Sequence, residues 1–171
     1  MTTLNGLPAH VLLVHAIVVL LPLSALLLVL SALWPAARGK LAGPNAILSV
    51  VVVILVPITT DAGEWLERRV ASTPLVRDHT ELGDTALWVA LPVAVLALLV
   101  WWRRRESLRT PASSRTFLAP ASTPVTVVLS VLAVVAAGAA VYDIYRIGDS
   151  GAQASWQGQF SSTPAPRGPG G

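Results

Sequence analysis

The chain has no cysteine among its 171 residues. That absence excludes disulfide staples, thiolate metal sites, cysteine nucleophiles, iron–sulfur ligation and covalent haem attachment through a C-x-x-C-H motif. The sole methionine is residue 1, so histidine and carboxylate are the side chains left to ligate a metal or cofactor. Charge is scarce as well. Only 12% of residues are Asp, Glu, Lys or Arg, against roughly 25% in an ordinary soluble domain. No Lys or Arg precedes Arg38, so the first apolar segment lacks the basic n-region of a secretory signal. Its run also exceeds the roughly 7–15 residues of a signal's apolar region, and it reads as a retained membrane span.

What fills the chain is apolar: 54% of it is hydrophobic. Four runs, about 9–33, 44–62, 82–102 and 124–145, each approach the ~20 residues needed to cross hydrocarbon. Their Val and Ile content would suit strands in a soluble protein. In lipid, a segment this long must satisfy its own backbone hydrogen bonds, which makes it a helix. The sequence predicts an all-α, multi-pass protein of the cell membrane. Residues 1–8 form a short N-terminal segment, 9–149 a four-helix bundle and 150–171 a flexible tail, disordered over 158–171.

Punctuation sets the finer expectations. Pro8 suits a first helical turn, Pro22 and Pro57 interrupt spans, and Trp34-Pro35 ends the first span at an interface. Residues 35–43 read as a basic loop, with Pro44 and Asn45 opening the second span; 106–122 read as a flexible linker. Leu66, Val70, Leu75 and Val76 suggest a short interfacial helix within loop 61–81. The third span starts either from Thr73-Pro74 or from Asp78 with Glu81 three residues later.

The charges divide by side. Arg38, Lys40, Arg103, Arg104, Arg105, Arg109 and Arg115 fall in the first and third connections; Arg68, Arg69, Arg77, Arg146 and Arg167 fall on the other side. By the positive-inside rule, both termini are then non-cytoplasmic. Of the nine acids, all but Glu106 lie on that outer side, as do all three histidines. The arginines cluster beside span ends and are not interleaved with aromatics in a surface patch, so the pI near 10.2 points to anionic lipid and not to nucleic acid.

Candidate chemistry therefore gathers at the outer edge. His10 and His15 are separated by a rise of ~7.5 Å and a rotation of about 140°, so they do not share a helix face. His15 lies at a depth where an ionisable group normally faces the bundle interior. His79 precedes Gly83, which leaves room for a flat ligand or a close helix. His10 or His15 with His79 would supply the axial ligands of a b-type haem between the first and third spans. Asp61, Glu64, Asp84 and Asp149 are candidate supporting carboxylates that fix imidazole tautomers, or complete a His/carboxylate site for zinc or manganese. Asp143 and Arg146 are spaced to pair, and Gly148-Asp149-Ser150-Gly151 reads as a tight turn. No nucleophilic triad or phosphate loop is present.

L-P-A-H-V-L-L-V-H at 7–15, H-T-E-L-G-D at 79–84 and Y-R-I-G-D-S-G-A at 145–152 resemble small membrane proteins of the domain of unknown function 2231, its actinobacterial branch in particular. The resemblance covers about residues 5–156. It implies a four-span bundle without an assigned activity. Relatives joined to Rieske-type iron–sulfur domains imply an electron-transfer neighbourhood. Many relatives have His followed by Pro in the first motif, where Val11 follows His10 here, and often His where Asp149 stands.

Three readings follow. The first is a haem-binding redox subunit. The second is a non-enzymatic bundle that meets a partner, or another copy, through the small-residue run Ala136-Ala137-Gly138-Ala139-Ala140 of the fourth span. The third is proton or cation transport by His15 with Asp61 or Glu64. It ranks last, because four spans are few and the inner side lacks ionisable residues to complete a path.

Overall fold

The computed structural model describes residues 3–4, 6–108, 117–118, 121–161 and 163–164. Arg109, Arg115 and Arg167, with most of the expected linker and much of the tail, lie outside the described residues. The chain opens with a two-residue hairpin, β1 (Thr3–Leu4) and β2 (Leu7–Pro8), which turns through Gly6 at φ 79°. Five helices follow: α1 (Ala9–Leu33), α2 (Pro35–Glu67), α3 (Pro74–Gly83), α4 (Ala86–Ser107) and α5 (Thr123–Trp156).

Four of these make the bundle. α1 packs on α2 and α5, and α4 packs on the same two from the other side, with lighter α1–α4 contact across the diagonal. The short α3 rides on α5 and touches α2. The interior is built from Leu21, Leu28, Val52 and Val93 with Ala25, Ala90, Ala133 and Ala140, all essentially inaccessible. Small residues let helix backbones approach where lipid supplies no hydrophobic drive for association. Between 22% and 39% of each span's most apolar stretch is buried inside the bundle, so most of that surface faces outward. That is the inverse of a soluble core.

Some boundaries differ from expectation, for identifiable reasons. Residues 35–43 are not a loop: α2 begins at Pro35 and runs unbroken through Pro44 and Pro57, so only Trp34 joins it to α1. Pro35 occupies the first helical turn, and Ala36, Ala37, Lys40, Leu41 and Ala42 are strong helix formers. Across the turn, Arg38 donates from Nε to Ser31 O (2.8 Å) and from Nη2 to Ala32 O (2.6 Å), capping the last carbonyls of α1. The expected tight turn at 148–151 is also helix, because α5 continues to Trp156. Thr73 caps α3 by accepting from Val76 N, so Thr73-Pro74 begins a separate short helix, and the third span starts only at Ala86.

Candidate functional site

Two of the three histidines meet at one end of the bundle. The hairpin delivers Pro8 as the N-terminal flank of α1, which places His10 in the first turn. Its ring leans onto α2, where Nδ1 lies 3.0 Å from the carbonyl oxygen of Thr59. A carbonyl only accepts, so Nδ1 carries the proton and Nε2 presents a bare lone pair. Gly63 makes the approach possible: a Cβ there would stand 2.9 Å from both Cε1 and Nδ1 of His10.

His79 repeats the arrangement from α3. Its Nδ1 lies 3.0 Å from Ser150 Oγ, and that hydroxyl donates its own hydrogen to Ile147 O at 2.9 Å. Ser150 therefore accepts from His79, which again leaves Nε2 bare. Gly151 provides the notch, since a Cβ there would come within 2.9 Å of His79 Cε1. The two imidazoles face one another with centroids 6.2 Å apart and planes inclined at 74°.

Below the rings the walls are apolar, while the mouth also carries Thr60, Glu64, Glu67, Thr80 and Asp84. A cleft of about 590 Å³ reaches from His10 and His79 between α1, α2, α3 and α5, past Val70, Val76, Ala152 and Trp156. Its inner end narrows to a cavity of about 50 Å³ walled by Val14, Ile17, Val56, Ala86 and Ile144. The arrangement brings two imidazoles, edge-on to one another, to one cleft with an apolar inner end.

His15 stands apart. Its ring is exposed, and Nδ1 bonds Val11 O of its own helix at 2.5 Å, so it occupies the cleft rim and does not face the bundle interior. The four supporting carboxylates are exposed too, and among the described residues none bonds an imidazole. Glu64 pairs with Arg68 at 3.5 Å, and Asp149 accepts from Gln153 Nε2 at 2.8 Å. Neutral oxygens hold the rings instead, while Glu64 and Asp84 line the mouth of the same cleft and stay exposed. Asp143 turns away from Arg146 and into the bundle, within 2.9–3.0 Å of the Thr85 hydroxyl. No three His, Asp or Glu side chains converge to hold a bare ion among the described residues.

Thr59, Ser150, Gly63 and Gly151 were not singled out as ring contacts from sequence. Their signal lies in spacing: Gly63 follows Thr59 by four, and Gly151 follows Ile147 by four, the offset at which a missing side chain uncovers a helical carbonyl.

A family model described as a predicted membrane protein (DUF2231) matches residues 6–164. The chain belongs to that family. No curated protein and no solved structure matches it. The DUF2231 match spans all five helices, and so includes both glycine notches and both facing histidines. With four helices long and apolar enough to cross a bilayer, this member of the family is a multi-pass integral membrane protein.

Proposed function

We propose that the protein is a haem-binding electron-transfer subunit of the membrane, with His10 and His79 as the axial ligands of a b-type haem. The observation that carries this reading is the pair of imidazoles lining one cleft, 6.2 Å between centroids and inclined at 74°, each held through Nδ1. Two imidazoles this close, from α1 and α3, would hold the metal of such a group between them. Ligating histidines characteristically donate their other N–H to a fixed oxygen, as His10 does to Thr59. A naked zinc or manganese ion asks for further protein ligands, and no cluster of three supplies them among the described residues. Haem brings its own equatorial nitrogens and needs only the axial pair.

When bound, such a group supplies one-electron chemistry. The chain's own contribution is to orient two rings through Thr59 and Ser150, and to exclude water with Val14, Ile17, Val56 and Ile144. The excess of basic residues at the opposite end supports a site on the non-cytoplasmic side. The test is an absorption spectrum of full-length protein purified in detergent from haem-supplemented cells. A Soret band that shifts on reduction, and is lost in both His10→Ala and His79→Ala, is expected. In intact cells a membrane-impermeant reductant gives the reduced spectrum. Colourless wild-type protein overturns the reading.

A second reading, a bundle that joins a larger complex through α5, is supported by Gly138 and Ala139 on the exposed side of that helix. It differs in predicting a co-purifying partner that tolerates both histidine replacements.

A further inference from the structure

The other end of the bundle poses a separate question about charge. Arg38 and Lys40 on α2 meet Arg103, Arg104 and Arg105 on α4, and Glu106 is the single acid there among the described residues. Most of these groups have protein partners. The Glu106 carboxylate, 4% exposed, accepts from Phe117 N and Leu118 N, both at 2.8 Å, and from Trp102 Nε1 at 2.9 Å. Buried Arg103 donates to Ser122 O and Thr126 Oγ1, and Arg38 caps α1.

Lys40, Arg104 and Arg105 remain. Among the described residues none of their side chains has a carboxylate or carbonyl partner. Gly39 lets the Arg104 guanidinium lie against α2, with Nη1 3.6 Å from where a Cβ would stand. Lys40 follows Gly39 on α2 and is exposed. Arg105 sits over the Trp101 ring, 4.9 Å from its centroid. Trp34 and Trp102 are exposed at the same level, and tryptophan of this kind marks the head-group layer of a bilayer.

We propose that Lys40, Arg104 and Arg105 clamp the phosphate of an anionic phospholipid in the leaflet at this end of the bundle. The surface where α2 meets α4 is cationic, with Arg104 over Gly39 and Trp101 over Gly43, and its own acid is turned inward. Guanidinium forks match phosphate oxygens in a paired geometry. Basic groups between helix ends attract anionic head groups over about a Debye length. The lipid, and not free phosphate, is the occupant because these cations stand beside tryptophans at the helix ends, where Trp101, Trp102 and the exposed Leu108 offer apolar contact to the glycerol and upper acyl chain. A bound head group would tie α2 to α4 where no protein anion does so.

The experiment compares unfolding midpoints of the full-length protein in vesicles of phosphatidylcholine alone and with added phosphatidylglycerol. Wild type gains about 5 °C from the anionic lipid, the scale of one moderate contact in a domain this size. The double variant Lys40→Gln/Arg104→Gln keeps less than half of that gain, while Arg68→Gln/Arg69→Gln, at the histidine end, keeps all of it. Reading the difference between two lipids within each variant cancels any cost of the substitution to folding. Equal gains in all three proteins overturn the proposal, as general attraction would produce them. An equal gain from inorganic phosphate in phosphatidylcholine vesicles also overturns it, since the site would then serve a soluble anion.

Discussion

The two ends of this bundle are finished in opposite ways. At the arginine end, charged side chains are turned onto backbone: Arg38 on the carbonyls closing α1, Arg103 on Ser122 O, Glu106 on the amides of Phe117 and Leu118. Among the described residues that end holds a cavity of about 10 Å³. At the histidine end Glu64, Glu67 and Asp84 line the mouth of a cleft, two imidazoles stand edge-on to one another, and the space is about 590 Å³. Helix termini always leave orphan carbonyls and amides. One end of this molecule satisfies them with buried charge and closes. The other holds two rings with a helix carbonyl, Thr59 O, and a hydroxyl, Ser150 Oγ, and stays open.

Breaking the closed end should have the largest effect. Glu106→Ala removes the acceptor shared by the Phe117 and Leu118 amides and the Trp102 indole. Losing one member of a buried charged network costs about 3–5 kcal/mol. Denaturant unfolding in detergent micelles measures this. Glu106→Gln, which keeps an acceptor oxygen, is expected to lose about half as much. A cost for Glu106→Ala under about 1 kcal/mol, the level of an exposed ion pair, would mean that the closed end is not held by its carboxylate. The contrast between the ends would then fail.

The open end breaks differently. Gly63→Ala and Gly151→Ala each bring a Cβ within 2.9 Å of an imidazole atom, closer than real Cβ contacts allow. The obstructed group is a side-chain ring that can swing aside, so the helices still pack, and Ala is worth up to about 1 kcal/mol more than Gly inside a helix. The expected outcome is an intact fold that has lost ring placement. On the haem reading, affinity falls at least about tenfold, or ~1.4 kcal/mol, as measured by haem titration of the purified apo-protein. Unchanged affinity in both variants would show that the notches do not position the rings, whatever the ligand.

How much of this was legible beforehand follows the same division. α1 matched expectation residue for residue, Ala9–Leu33, because Pro8 and Trp34-Pro35 bracket an unbroken apolar run. The four spans and the confinement of the histidines to one end were legible from hydropathy and charge alone. The helical stretches at 35–43 and 148–151 were not. Glycine, proline and charge are turn signals in water, but here Gly39 seats Arg104 and Gly151 seats His79, and these contacts lie far apart in sequence. The carboxylates were assigned to the imidazoles by residue type. The rings instead chose neutral oxygens on facing helices, and only the packing of α1 on α2 and of α3 on α5 reveals which.

Between the two ends the bundle has a polar contact of another kind, and it calibrates the others. Ser24 and Asn45 are 0% and 1% exposed, joined by Ser24 Oγ donating to Asn45 Oδ1 at 3.0 Å. Hydrogen bonds between membrane helices average only about 0.6 kcal/mol, because the separated helices find other partners in lipid. Ser24→Ala should therefore cost roughly that much in the same unfolding assay, several-fold less than Glu106→Ala, and on the haem reading should leave haem affinity unchanged. The ratio matters more than either value. A charge clamp at a helix terminus meets amides that have no helical alternative, whereas a mid-span hydroxyl can turn back to a carbonyl of its own helix. A loss of more than about 2 kcal/mol for Ser24→Ala would show that this alternative is closed to it. The closed end would then be one instance of a polar seam running the length of α1 and α2, and not a device peculiar to the terminus.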